Sequence, residues 1–376
     1  MPAVRNVLVV GGGSAGAATA ILLADAGISV DLVEIKPDVT ALGSGITLQG
    51  NALRVLRELG VLDECLAEGY PADKVVLRAP DSAGTVLAEM QNVRSGGPEL
   101  PASMGMYRPT LARILMNRAA AAGVKTRFGT TLNAIEQDDT GVEVRFSDGS
   151  ARRYDVVVGA DGLRSKTRLL LGIALETKAV GMGIWRVFAS RPPEVTSSEL
   201  FYGGPCYTAG YTPTSQESLY GFLVEDAQDR TGLSATEQLD IVRRLAAHYH
   251  GPWDAIRASI TDPGTIHYTW YETHLLDPPW ARGRVVLVGE AVHTCPPTIA
   301  QGGAMALEDA SVLAELLLAA DAVDDELWDE FTVRRYGRVK EIVDASLQVT
   351  QWQLDQVEGD IPGLMTRIAE LASRPA

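Results

Sequence analysis

Four short segments of this chain, residues 7–10, 30–35, 155–159 and 284–289, are apolar at most positions and too short for helices. Strands apolar on both faces are buried on both faces, the condition of a parallel sheet covered by helices. Residues 17–26 are small and read as a helix ending near Gly27, so the chain opens strand, helix, strand. Leu53, Leu56, Leu59 and Leu62 recur at helical spacing within 51–66, and 108–122 reads as a helix with Pro109 at its start. Two hairpins interrupt this pattern, one over 74–90 turning at 80–84, the other over 142–154 turning at Asp148-Gly149. Residues 180–274 are rich in strand-forming, aromatic and turn residues, and beyond Gly289 a loop leads into helices.

The parallel-sheet pieces are scattered and must assemble around insertions. The expected class is α/β. One discontinuous domain takes 1–72, 98–180 and 275–320, a β-sheet domain takes 73–97 and 181–274, and helices fill 321–376.

Charge narrows the partners. With 33 Lys and Arg against 48 Asp and Glu, a net −15, the surface repels phosphate backbones and anionic lipid, so neither nucleic acid nor a membrane is expected as partner. Cys65, Cys206 and Cys295 are widely spaced with no C-x-x-C pair, which argues against a disulfide framework and a zinc site, and no metal is expected. No cleavable leader or membrane-length apolar run is apparent, so a soluble cytoplasmic protein is expected.

The strongest local motif is Gly11-Gly12-Gly13-Ser14-Ala15-Gly16, between a strand and a helix. Gly11 permits a tight turn, Gly13 lets the backbone approach a pyrophosphate, Gly16 lets helix and strand pack closely, and the helix start offers free N–H groups. Glu34 closes the second strand, where a carboxylate can hold two ribose hydroxyls and disfavours a 2′-phosphate. This motif fits FAD or NAD equally. Further along, Asp161-Gly162 ends one buried strand ahead of Arg164, Lys166 and Arg168. Gly289-Glu290 ends another and runs through Pro297 to Gln301-Gly302-Gly303, a glycine-rich helix start.

These motifs, with Gly43-Ser44-Gly45-Ile46 and the helix carrying Arg108, Leu111 and Leu115, resemble the class A flavoprotein monooxygenases, the para-hydroxybenzoate hydroxylase-like family. The resemblance covers the cofactor-binding part in order and approximate spacing. It implies a Rossmann-like FAD-binding domain with an inserted β-sheet substrate domain and C-terminal helices. It also implies NAD(P)H as transient co-substrate and hydroxylation of a small phenolic or N-heteroaromatic ring by O2 through a flavin C4a-hydroperoxide. By the same resemblance Gly11, Gly13, Ser14, Ala15, Gly16 and Ile46 contact FAD and Glu34 holds its ribose. Arg108 reaches the ribityl-pyrophosphate region, Asp161-Gly162 lies near the pyrophosphate, and Glu290 contacts the ribityl chain. Pro297 and Gln301 to Gly303 lie beside the ring, with Pro297, Gln301 and Arg186 as catalytic candidates. The family normally has Asp where this chain has Glu290, one methylene longer.

No signature names the substrate. Gln49, Arg186, Tyr207, Tyr211, Tyr220, Phe222 and His267 are the candidate contacts, although aromatics in strands more often build sheet cores. Arg186 is a cation in an apolar strand, suited to a carboxylate or oxyanion, with an ordinary salt bridge as the alternative. His293 reads as structural and Cys295 as a buried thiol rather than a flavin tether. A monomer or homodimer is expected. The alternatives are a same-fold epoxidase or reductase acting on a larger natural product, and a non-catalytic ligand-binding relative.

Overall fold

The apolar segments form the middle of a six-stranded sheet. Its order is Ala281–Arg282, Val285–Leu287, Val156–Gly159, Asn6–Val10, Ser29–Glu34 and Lys125–Phe128 in a computed structural model that describes residues 3–39 and 44–376. Gly43 of the Gly43-Ser44-Gly45-Ile46 motif lies outside the described residues. All neighbours pair in parallel except the short strand Ala281–Arg282, which is antiparallel to Val285–Leu287. Val7, Leu8, Val9, Val156, Val157 and Val158 have no exposed surface, so each removes its whole side chain from water, a gain of about 1.5–3 kcal/mol apiece. Helix Ser14–Asp25 packs beside Gly302–Ala319 and Arg108–Ala121, and its buried face of Ala15, Gly16, Ala17, Ala18 and Ala20 allows the close approach. The expected single run over 51–66 is two helices, Gly50–Glu58 and Leu62–Glu68, because the chain turns at Gly60 with φ +71°.

The hairpin 74–90 and the middle segment join one eight-stranded sheet. Its order is His293–Thr294, Ile266–Leu275, Lys178–Ser190, Ser218–Asp226, Cys206–Pro213, Ser198–Gly203, Lys74–Arg78 and Val86–Gln91. Alternation along these strands gives two faces. One presents Trp185, Val187, Phe201, Tyr211, Leu219 and Leu223 to helices Ala235–Ala246 and Pro252–Ser259, in a core with Val242, Tyr249, Trp253 and Ile256. Those two helices lie inside the stretch expected to be β. Helix Ala235–Ala246 begins with a reciprocal cap between Ser234 and Glu237. The other face meets the small sheet Gly45–Gln49, Ser103–Tyr107 and Tyr70–Ala72. There the Tyr107 and Phe188 rings lie 4.3 Å apart and the Thr47 and Tyr220 hydroxyls 3.2 Å apart. A Cβ on Gly45 would fall 1.8 Å from the Tyr220 ring, so only glycine permits this approach.

The segment 321–376, expected to be helical, holds the helices Asp325–Leu354 and Ile361–Ser373. Trp328, Phe331, Val339, Ile342, Leu364 and Ile368 complete the same core as the parallel strands. The long helix also brings Arg335 and Arg338 to Glu308 and Asp309. Arg335 Nε donates to Asp309 Oδ1 at 2.7 Å, and Arg338 donates to both Glu308 oxygens at 2.7 and 2.9 Å. Neither carboxylate is more than 1% exposed. Breaking a buried ion pair from one side leaves an uncompensated charge, so Arg335→Leu is expected to lower unfolding free energy by about 3–5 kcal/mol. Urea denaturation measures it, and a loss below about 1 kcal/mol, the range of exposed pairs, would contradict the assigned weight of the network.

Candidate active site

The first glycine turn leaves the strand Asn6–Val10 with Gly11 at φ +103° and its N–H bonded to Val33 O. A Cβ on Gly16 would sit 1.9 Å from Gly11 O, which explains the last glycine. Gly13 is different. Its backbone is extended, at φ −70°, and a Cβ there would meet nothing within 4 Å. The space over Gly13 is open, and helix Ser14–Asp25 has no side-chain N-cap, so the N–H groups of its first turn face that space. Glu34, half-buried at its strand end, accepts from Gly12 N at 2.7 Å and Lys36 N at 2.9 Å, which fixes the carboxylate beside the turn.

A second uncapped N-terminus lies on the neighbouring helix. Gly302–Ala319 begins after the turn Pro297–Ile299 and the left-handed residue Ala300, with open space at Gly302. A Cβ on Gly303 would be 3.1 Å from Ile46 Cδ1, which brings the strand Gly45–Gln49 to this helix start, with half-buried Gln49 at its far end. Arg108 opens its own helix, exposed, with Nε donating to Gly45 O at 3.2 Å. Gly289, at φ +61°, packs so that its Cβ would be 3.0 Å from Ala15 Cβ. Glu290 is exposed and its Oε2 lies 3.9 Å from where a Gly162 Cβ would be.

The Asp161 carboxylate is engaged within its own loop. It accepts from Ser165 Oγ, Thr167 N and Thr167 Oγ1, and thus clasps the start of helix Lys166–Leu170. Its oxygens thereby hold the loop that presents Gly162, at φ +77°, which is the loop expected beside the pyrophosphate. Opposite, His274 is buried between Thr177 Oγ1 at its Nδ1 and Glu290 O, 3.0 Å from its Nε2. The carbonyl can only accept, so Nε2 carries the proton. His293 is buried as well, with Nε2 2.8 Å from Asp309 Oδ2, which also accepts from Gly289 N. Burial opposes ionisation of Asp309, but His293 and Arg335 outweigh it and hold the carboxyl down at about 2. Burial pushes the Cys295 thiol up to about 11, leaving it protonated and a poor nucleophile at neutral pH.

The sheet face toward the groove carries Arg186, Tyr220, Phe222, Thr269 and Tyr271. Arg186 pairs in register with Phe222 and His267, and its guanidinium donates to Thr269 Oγ1 at 2.6 Å. It has no carboxylate partner among the described residues; burial and then the Arg108 charge lower its pKa, while Tyr271 and Tyr220 raise it. Tyr207 packs near Phe222 with its hydroxyl given to Asp226. Tyr211 is a correction. It lies on the opposite face, with no exposed surface, its hydroxyl donated to Glu199 at 2.6 Å and its ring 5.6 Å from Trp253. It is core, not a substrate contact.

Two adjacent helix N-termini with open glycines, a carboxylate at a strand end and an exposed arginine border one groove, which suits an elongated anionic dinucleotide. A family model described as FAD binding domain matches residues 5–346. The chain belongs to this FAD-dependent monooxygenase family. It is 32% identical over 322 residues to the 2-heptyl-3-hydroxy-4(1H)-quinolone synthase of Pseudomonas aeruginosa, covering 83% of this chain and 80% of that one. It is 28% identical over 352 residues to the 6-hydroxynicotinate 3-monooxygenase of Bordetella bronchiseptica, covering 90% of each. The tetrameric form of 2-methyl-3-hydroxypyridine-5-carboxylic acid oxygenase matches with TM-score 0.79 and 27% identity, covering 99% of this chain and 96% of that chain.

In this monooxygenase the partners of the loops were not foreseen. Asn51 Nδ2 donates to Gln301 Oε1 at 3.1 Å and Glu308 Oε1 at 3.0 Å, and His274 holds the Glu290 backbone. Nothing marks these residues locally, because their partners are distant in sequence. No described group of three or more His, Cys, Asp or Glu is placed to hold a metal, and no described helix is long and apolar enough to cross a membrane.

Two outcomes follow from the groove. Gly13→Ala meets no protein atom, so the apoprotein is expected to melt as the wild type does while FAD affinity falls at least about tenfold, a loss of about 1.4 kcal/mol. FAD titration with thermal melts checks both, and unchanged affinity would place the pyrophosphate elsewhere. For His274, burial lowers the pKa from 6.5 to about 4, partly offset by its bond to Glu290. The unfolded chain therefore takes up a proton that the folded chain refuses. The stability due to neutral His274 is complete above pH 6.5 and lost as pH falls from 6.5 to 4. Acidification across that window is expected to remove about 3 kcal/mol more from the wild type than from His274→Gln, measured by denaturation at each pH.

Proposed function

We propose that this monooxygenase hydroxylates a small N-heteroaromatic or phenolic ring bearing a carboxylate or ring oxyanion, bound between the eight-stranded sheet and the groove. Arg186 carries the reading. A half-buried guanidinium, hydrogen-bonded to Thr269 and lacking a carboxylate partner among the described residues, is matched by an anion from outside. Tyr220 and Phe222, with ring centroids 5.7 Å apart, offer an aromatic wall beside it. His267 sits across from Arg186 in register, and Gln49 and Tyr207 lie at the margins of the same space. The hydroxypyridine acids in the names of two relatives fit this chemistry.

Bound FAD supplies the redox chemistry, accepting hydride from NAD(P)H and activating O2 for insertion into the ring. The chain's residues bind, orient and shield. The first turns of helices Ser14–Asp25 and Gly302–Ala319 offer N–H groups to anionic parts of the cofactor, and Glu34 accepts from ribose hydroxyls. Arg108 meets the pyrophosphate side, Gly162 and Glu290 border the ribityl chain, and Ile46, Pro297, Gln301, Gly302 and Gly303 border the ring. Arg186 holds the substrate anion and favours the ionised form of a phenolic ring. The sheet contact at Tyr107, Phe188, Thr47 and Tyr220 closes the space against bulk water. Work in the cytoplasm, as monomer or homodimer, fits three free cysteines and a supply of NAD(P)H.

Replacing Arg186 tests this directly. Arg186→Met is expected to raise KM for hydroxypyridine carboxylates about 10–100-fold, the weight of a hydrogen bond to a charged group, while FAD content is unchanged. An unchanged KM for acids, with neutral alkylquinolones as the better substrates, would overturn the anionic-substrate reading.

A further inference from the structure

We propose that Asn51 is a positioning residue that fixes which end of the Gln301 side-chain amide faces the flavin. The geometry starts at Glu308, buried at 1% exposure and ion-paired with Arg335 and Arg338. A carboxylate can only accept hydrogen bonds. Asn51, which has no exposed surface, must therefore turn its NH2 group toward Glu308 Oε1, 3.0 Å away. The reversed amide would set two oxygens against each other where no water can separate them. The second N–H of the same group lies 3.1 Å from Gln301, so Gln301 must present Oε1 to it. Asn51 Oδ1 is left buried without a partner among the described residues, which shows that the donor side dictates the orientation.

The consequence appears at the far end of the chain of bonds. With Oε1 committed, Gln301 turns Nε2 away from the network, at the uncapped start of helix Gly302–Ala319. The buried anion thus sets the polarity of a side chain at the cofactor groove through two amides: carboxylate, donor, acceptor, and finally a donor aimed outward. A donor there stabilises the reduced flavin, whose ring carries negative charge, more than the neutral oxidised ring. This rests on the reading that Gln301 borders the ring.

The test is the two-electron midpoint potential of bound FAD, measured on the holoenzyme by spectroelectrochemistry alongside thermal melts. In Asn51→Asp the protonated carboxyl oxygen that replaces Nδ2 donates to Glu308 and presents only a lone pair to Gln301, whose amide must turn its NH2 inward and its oxygen toward the ring. Reduced FAD is then expected to bind about tenfold more weakly relative to oxidised FAD, a fall of about 30 mV for a two-electron couple. Gln301→Leu is expected to lower the potential too, and adding Asn51→Asp to it is expected to change nothing further. If Gln301→Leu leaves the potential unchanged, the placement of Gln301 against the ring fails. If Gln301→Leu lowers it but Asn51→Asp shifts only the melting temperature, or acts equally in the Gln301→Leu background, the relay fails. Should Asn51→Asp not fold, Asn51→Leu releases the Gln301 amide and is held to the same criteria.

Discussion

Two neighbouring carboxylates, Glu308 and Asp309, organise the site because they are buried where no water can solvate them. Successive residues on a helix point about 100° apart, so the two face different neighbours. Asp309 takes Gly289 N, His293 and Arg335, which pins the loop leading to Glu290. Glu308 takes Arg335, Arg338 and Asn51, and through Asn51 it holds Gln301. Both sides of the groove are thus hung from one helical turn. A buried charge tolerates little displacement of its partners, so the network keeps the groove's shape with or without cofactor. The long C-terminal helix supplies the cations, and for this reason it belongs to the same core as the parallel sheet.

The groove and the sheet divide the chemistry between them. Helix starts and glycines present backbone N–H groups, which suit the phosphates and ring of a cofactor shared by many enzymes. The sheet face presents side chains, and these can vary with substrate while the groove stays fixed. Arg186 lies on that face across from Arg108, so positive charge concentrates where the two halves meet in a protein that is acidic overall. Local cationic character inside a net −15 chain is what an anionic substrate requires of its pocket.

The parts legible in the sequence are those whose physics is local. Gly11, Gly13 and Gly16 can be read because a turn, an open approach and a close packing each demand glycine within six residues, and Glu34 because it ends the next strand. Arg186 stood out as a cation among apolar neighbours. Partners distant in sequence were not legible. Arg335 and Arg338 look like any helical surface cations until Glu308 and Asp309 are seen beneath them, and Asn51 resembles a turn residue. Tyr211 shows the limit of period-two reasoning. Alternation separates Tyr211 from Thr212, but only the helices Ala235–Ala246 and Pro252–Ser259 decide which face is covered. Those helices were masked by the aromatic and turn-rich residues around them. Asp161 was legible as part of its motif, but its bonds to Ser165 and Thr167 were not, because a carboxylate beside Gly, Ser and Thr serves a cap as readily as a cofactor.

The most direct measurement is product analysis under isotopically labelled dioxygen, with purified FAD-loaded enzyme, NAD(P)H and a panel of hydroxypyridine and phenolic acids. The account predicts a hydroxylated acid carrying one oxygen atom from the labelled gas, formed in step with NAD(P)H oxidation. Oxidation of NAD(P)H that yields only hydrogen peroxide across the panel, or a product whose new oxygen comes from water, would contradict it.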